Sequence, residues 1–249
     1  MRWVLLIVVL VGVVWGLFLA ITVETPNGAG GANARPVLWS DAKGLCGAAW
    51  WPARERVLAV AGDRRLLELS PQGDLIDAQA LGDYEFVDIA ILAAGDQVLL
   101  LDARRRELLR VSLTPRQIRD TIHLPKSSGT PVALALFVDE EERVVIIDDD
   151  PPVLHIVPLF GTDPKSLDLA VRNPRSAVVT PDTKAVWITA KDGLHLVPLD
   201  GSPSKFSPGW LFEDVAWLGK HGLLVWTGDP PRVATFPGDG HAPLASLVR

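Results

Sequence analysis

The chain has 249 residues, 48% of them hydrophobic, and a formal net charge of −6. That is enough apolar length for one or two domains with a proper core, and the acidic balance excludes the basic face on which nucleic-acid binders depend. A single cysteine, Cys46, excludes an internal disulfide and a thiolate zinc site, and 21 Gly with 20 Pro argue against a helical protein.

The first element is the run WVLLIVVLVGVVWGLFLAITV, Trp3 to Val23, which carries no charge. Twenty-one residues at about 1.5 Å each span about 30 Å, the thickness of a bilayer core. A cleaved secretory signal has a shorter apolar core and a small-x-small cleavage site, and Leu19-Ala20-Ile21-Thr22 offers none. Residues 1–24 therefore read as an uncleaved signal anchor, one transmembrane α-helix. Arg2 before it and Glu24 after it leave the N-terminus in the cytoplasm and residues 25–249 across the membrane. Gly12 and Gly16, spaced as G-x-x-x-G, give this helix a close-packing face. Residues 25–36, with PNGAGGANARP, read as a flexible linker.

Residues 37–249 repeat. The phrase VLHIVPLFGT at Val153 returns as GLHLVPLDGS at Gly193. Five segments share one plan: a short apolar strand, a turn, a β-rich strand ending near Asp, a tight turn, and a further strand. The second strands are expected at 56–63, 97–102, 143–150, 185–192 and 222–229, and the third at 65–70, 107–113, 153–159, 193–199 and 232–236. Weaker fourth strands follow, such as 75–81 and 120–125. The first strands centre on Ala49, Ala90, Ala135, Val178 and Ala216, roughly 40 residues apart. Four short β segments in each such unit are the signature of a β-propeller, whereas a β-sandwich does not predict repeated copies of one plan. The fold class expected is all-β, a single β-propeller of five blades after one transmembrane helix, with a sixth, degenerate blade around residues 34–40 left open.

On this alignment the third-strand histidine position holds Glu68, Arg110, His155, His195 and Ala234. Such interchange fits an outward, solvated position rather than a metal site. The acidic phrases EFVDIA and FEDVAWL place Glu85, Asp88, Glu213 and Asp214 before or within inner strands, where the blades of a propeller converge. Hard carboxylate oxygens there suit Ca²⁺, and the competing reading is that they cap turns. The turns DDDPP (148–152) and GDPP (228–231) match one another, which favours a turn role, and RRR (104–106) reads as a solvated turn. Trp50 and Trp217 are expected to pack between blades. Trp39 and Trp210 lie in loop-like text and are the candidate partner interface. No G-x-S-x-G, H-E-x-x-H, P-loop or dinucleotide fingerprint occurs, and no nucleophile stands next to a base in the sequence.

The stretch from Gly44 to Leu113, with its G-x-A-W strand, V-L-A-V strand and L-L-E-L-S-P-Q-G, resembles the SdiA-regulated family of bacterial β-propellers and, more loosely, NHL-type propellers. The resemblance implies a domain secreted or anchored across the bacterial inner membrane, hence a periplasmic location. It implies no established catalytic activity, and calcium at acidic loops in some members. The resulting expectation is a non-catalytic accessory or scaffold subunit on the periplasmic face of an integral membrane protein complex, with respiratory or photosynthetic electron-transfer complexes as candidate hosts. The alternative is a calcium-dependent ligand-binding or hydrolytic propeller. An axis lined by Ala, Val and Leu would eliminate that alternative.

Overall fold

The computed structural model describes residues 45–236, except 72, 93–94, 138–142, 162, 181, 183, 209–212, 218–222 and 228–231. The first sheet holds β1 (Leu45–Trp51), β2 (Arg56–Ala61), β3 (Arg65–Leu69) and β4 (Leu75–Ala80). The second holds β5 (Phe86–Ile91), β6 (Gln97–Asp102), β7 (Glu107–Leu113) and β8 (Arg116–His123). The third holds β9 (Pro131–Leu136), β10 (Arg143–Asp148), β11 (Val153–Pro158) and β12 (Lys165–Asp168). The fourth holds β13 (Pro174–Val179), β14 (Ala185–Ala190), β15 (Gly193–Pro198) and β16 (Lys205–Pro208). The fifth holds β17 (Asp214–Trp217), β18 (Leu223–Thr227) and β19 (Arg232–Phe236). Every pairing is antiparallel between strands consecutive in sequence.

The core lies between sheets, not within one sandwich. Trp51, Leu58, Val60 and Leu66 of the first sheet pack on Phe86, Leu100, Leu109 and Val111 of the second. Leu99, Leu101 and Leu108 turn the other way, onto Leu134, Val144, Ile146 and Val157 of the third. Ile147, Leu154 and Ile156 then meet Val179, Val186 and Ile188 of the fourth. Because each inner sheet is covered on both faces, its second and third strands read as continuous apolar runs. Each large aliphatic side chain so buried contributes about 1.5–3 kcal/mol. The first strands contact in series, β1 on β5, β5 on β9, β9 on β13 and β13 on β17. Sheets arranged radially with their first strands innermost make a propeller.

Three expectations need correction. Where five blades were expected, there are among the described residues four complete four-stranded blades and a fifth sheet of three strands. Residues 34–40 lie outside the described residues. The register also shifts the histidine line: opposite Ala59, Leu100, Ile146, Ile188 and Val225 stand Leu67, Leu109, His155, His195 and Ala234. Glu68 and Arg110 belong one residue further on. His155 and His195 are also not solvated, at 2% and 4% exposure. Alternation of polar and apolar residues marks a solvent face only where a sheet has one, and here both faces are covered. The anchor and linker, 1–36, lie outside the described residues, and no helix among the described residues is long and apolar enough to cross a membrane.

Candidate functional site

Four inner strands carry a β-bulge at the same place, where pairing skips a residue between Leu45 and Gly47, Phe86 and Asp88, Pro131 and Ala133, and Pro174 and Ser176. Bulges bend a strand and re-aim the next side chain. Counting along the registers, Gly47, Asp88, Ala133, Ser176 and Asp214 are equivalent positions, one per sheet. Two of the five are carboxylic acids.

Asp88 ties three blades together. Its Oδ2 accepts the Leu134 N–H of the next inner strand at 2.8 Å, and its Oδ1 accepts the Ile89 N–H at 2.8 Å. On the other side a Cβ at Gly47 would stand 2.7 Å from Asp88 Oδ1 and 2.8 Å from its Cα, so this place in the first blade admits only glycine. Asp214 Oδ1 accepts the Val215 N–H at 2.6 Å and the Ser176 hydroxyl of the preceding blade. Burial pushes both carboxyls up to about 7, against the opposing pull of their hydrogen bonds. The charge of Asp214 adds, as the smallest cause, to the rise at Asp88. Burial also raises the neighbouring Cys46 thiol, with Asp88 the next cause, which keeps it protonated and unreactive.

The other sequence candidates do not join the pair. Glu85 is exposed, and its N–H donates to Asp102 Oδ2 at 3.2 Å. Glu213 is ion-paired with Arg175. Trp39, Trp210, Gly12 and Gly16 lie outside the described residues. Ca²⁺ takes six to eight oxygens. Among the described residues no group of three or more His, Cys, Asp or Glu is placed to hold a metal ion, so Asp88 and Asp214 supply at most part of a calcium site. Sequence reasoning found the two acids but not Gly47 and Ser176. Gly47 stands in the G-x-A-W strand without any sign of its role, and the only signal of Ser176 is the alignment of its strand with the acidic phrases.

A second polar chain lies in the third blade. Arg106 in the β6–β7 turn reaches across to Asp148 Oδ2 at 2.8 Å and to the Pro125 carbonyl at 3.0 Å. Asp148 also accepts from His155 Nε2 at 3.1 Å, and His155 Nδ1 lies 2.8 Å from Ser166 Oγ. Burial acts to raise the Asp148 carboxyl, but hydrogen bonds from His155, Arg106 and Ser127 hold it below the usual carboxylate range. Arg106 is thus a blade-to-blade tie rather than a solvated turn residue. A groove of about 630 Å³ between the third and fourth blades, lined by Asp149, Asp150, Arg172 and Asp192, coincides with neither cluster.

Among solved structures, one of a streptogramin B lyase is similar to the chain with a TM-score of 0.57 at 11% identity, covering 82% of this chain and 70% of that one. The fold is a β-propeller. At that identity the likeness carries the fold alone. No family model and no curated protein matches the chain, so the SdiA-regulated resemblance rests on its residues.

Proposed function

We propose that the chain is a recognition propeller tethered to the membrane by residues 1–24, an accessory subunit whose axial mouth receives a cationic side chain of a partner in a larger membrane complex. The observation that carries this reading is that two acids with raised carboxyls, Asp88 and Asp214, occupy equivalent positions on inner strands, and that the charge of Asp214 reaches Asp88. A lysine or arginine of the partner would supply the counter-charge. Its arrival favours the ionised form, so docking releases protons and tightens as pH rises from 6 to 8. The 21-residue apolar run with Arg2 before it supports the periplasmic placement. Protease added to spheroplasts should digest the propeller, and a protected domain would refute that orientation.

The tagged chain, purified in mild detergent and analysed by mass spectrometry, tests the docking site. Asp88→Asn with Asp214→Asn should deplete the co-purifying partner about tenfold or more, the effect of about 1.4 kcal/mol or more. The Asn pair should still melt in one cooperative step, although Asp88→Asn replaces one of the two oxygens that accept backbone N–H groups by an amide nitrogen that cannot accept. Undiminished recovery of the partner would remove the axis from its interface. Chelation of calcium should leave recovery unchanged, because the pair alone does not fill a calcium shell.

A further inference from the structure

The sequence sets no nucleophile beside a base, but the fold does. Ser166 is eleven residues from His155 in sequence and directly opposite it in the β11–β12 register. Asp148 is wholly buried and held ionised, so its carboxylate can only accept, and His155 Nε2 carries the proton of that bond. In the neutral ring Nδ1 is then an acceptor, and the Ser166 hydroxyl donates to it across 2.8 Å. Arg106, bonded to the same Asp148 oxygen, keeps the carboxylate ionised and in place. The relay runs from solvent inward: Ser166 is exposed, His155 is 2% exposed and Asp148 0%.

We infer that Ser166 is an activated nucleophile that accepts the acyl group of a carboxylic ester, with His155 as its base and Asp148 positioning the ring. Among the described residues β12 pairs with a strand on one side only, so alternate N–H groups along Lys165–Asp168 face away from β11. Those outward donors receive the carbonyl oxygen as it gains charge. Ser166 Oγ bonds to the acyl carbon as the ester C–O bond breaks. The Oγ proton passes to His155 Nδ1 and on to the departing oxygen, which leaves as the alcohol. Water then attacks the acyl-serine, gives a proton to Nδ1, and the carboxylic acid leaves with Ser166 restored. Atoms and charge balance without a further reactant. This site lies in the third blade's outer half, apart from the axial acids, and stands or falls independently of them.

The full chain in mild detergent, treated with a fluorophosphonate and mapped by mass spectrometry, tests it. One adduct is expected, on Ser166, forming about 100-fold faster than on the exposed Ser202, the scale of general-base assistance. Ser166→Ala should abolish it, and His155→Gln should slow it by a similar factor while the protein still melts cooperatively. If His155→Gln does not fold, the wild-type pH profile decides. A rate that levels off above an imidazole titration supports the relay, and one rising in proportion to hydroxide overturns it. Labelling of Ser166 no faster than Ser202 also overturns it, leaving Ser166 a cross-strand partner of a buried histidine.

Discussion

At the scale of single residues, the blades are joined by polar side chains that reach out of their own sheet. Arg106 is the clearest. It adopts φ of 55°, a left-handed conformation disfavoured for a side chain with a Cβ, and from there it neutralises a carboxylate with no exposure. Removing it strands that charge. Arg106→Ala should cost about 3–5 kcal/mol of stability, read from chemical denaturation, because an uncompensated buried charge is left behind. A loss within ~0.5 kcal/mol would mean that Asp148 is satisfied by His155 and Ser127 alone. Gly47 is constrained by space rather than by dihedral angle. Gly47→Ala must displace Asp88 or its backbone, and a destabilisation of about 1–3 kcal/mol is expected in the same assay. Neither role was legible in the sequence: RRR read as a solvated turn, and the G-x-A-W strand that holds Gly47 gave no sign of the Asp88 that stands against it.

At the scale of elements, what the sequence disclosed follows from burial. The second and third strands were legible nearly to the residue, because both their faces are covered and their apolar runs are uninterrupted. The outermost strands were not. β8 begins at Arg116 rather than near 120, and the short β12, KSLD, gives no apolar signal because most of its side chains are exposed. The histidine line slipped by one in the first two blades because a continuous apolar strand has no alternation to fix its phase. The energetic consequence is direct. Leu100→Ala in β6, wholly buried between the first and second blades, should cost about 2–5 kcal/mol. Ile76→Ala in β4, 48% exposed, should stay within about 0.5 kcal/mol. Denaturant midpoints of the two variants should separate accordingly, and equal effects would contradict the radial packing.

At the scale of the whole molecule, radial packing lets the charge of Asp214 act on Asp88, 126 positions away in the chain, and no local pattern could announce that coupling. Its consequence is a stability that depends on pH. Both folded-state carboxyls titrate near 7, above the ordinary 3.8, so the folded chain binds more protons than the unfolded chain between those values. The contribution of these two acids is therefore full below about pH 4, falls as pH rises through the folded-state value near 7, and levels off above it. The acids held below their ordinary range, Asp148, Asp83, Asp182 and Asp200, act in a separate window, losing their contribution only as pH falls below 3.8. The most direct test of the axial pair is the thermal midpoint of the full chain in mild detergent from pH 5 to pH 8, set beside Asp88→Asn with Asp214→Asn. The wild-type midpoint should fall steadily across that range, by the equivalent of a few kcal/mol, and the Asn pair should hold nearly level. A wild-type midpoint that is flat or rises with pH, or an Asn pair that falls in parallel with it, would contradict raised carboxyls on the inner strands.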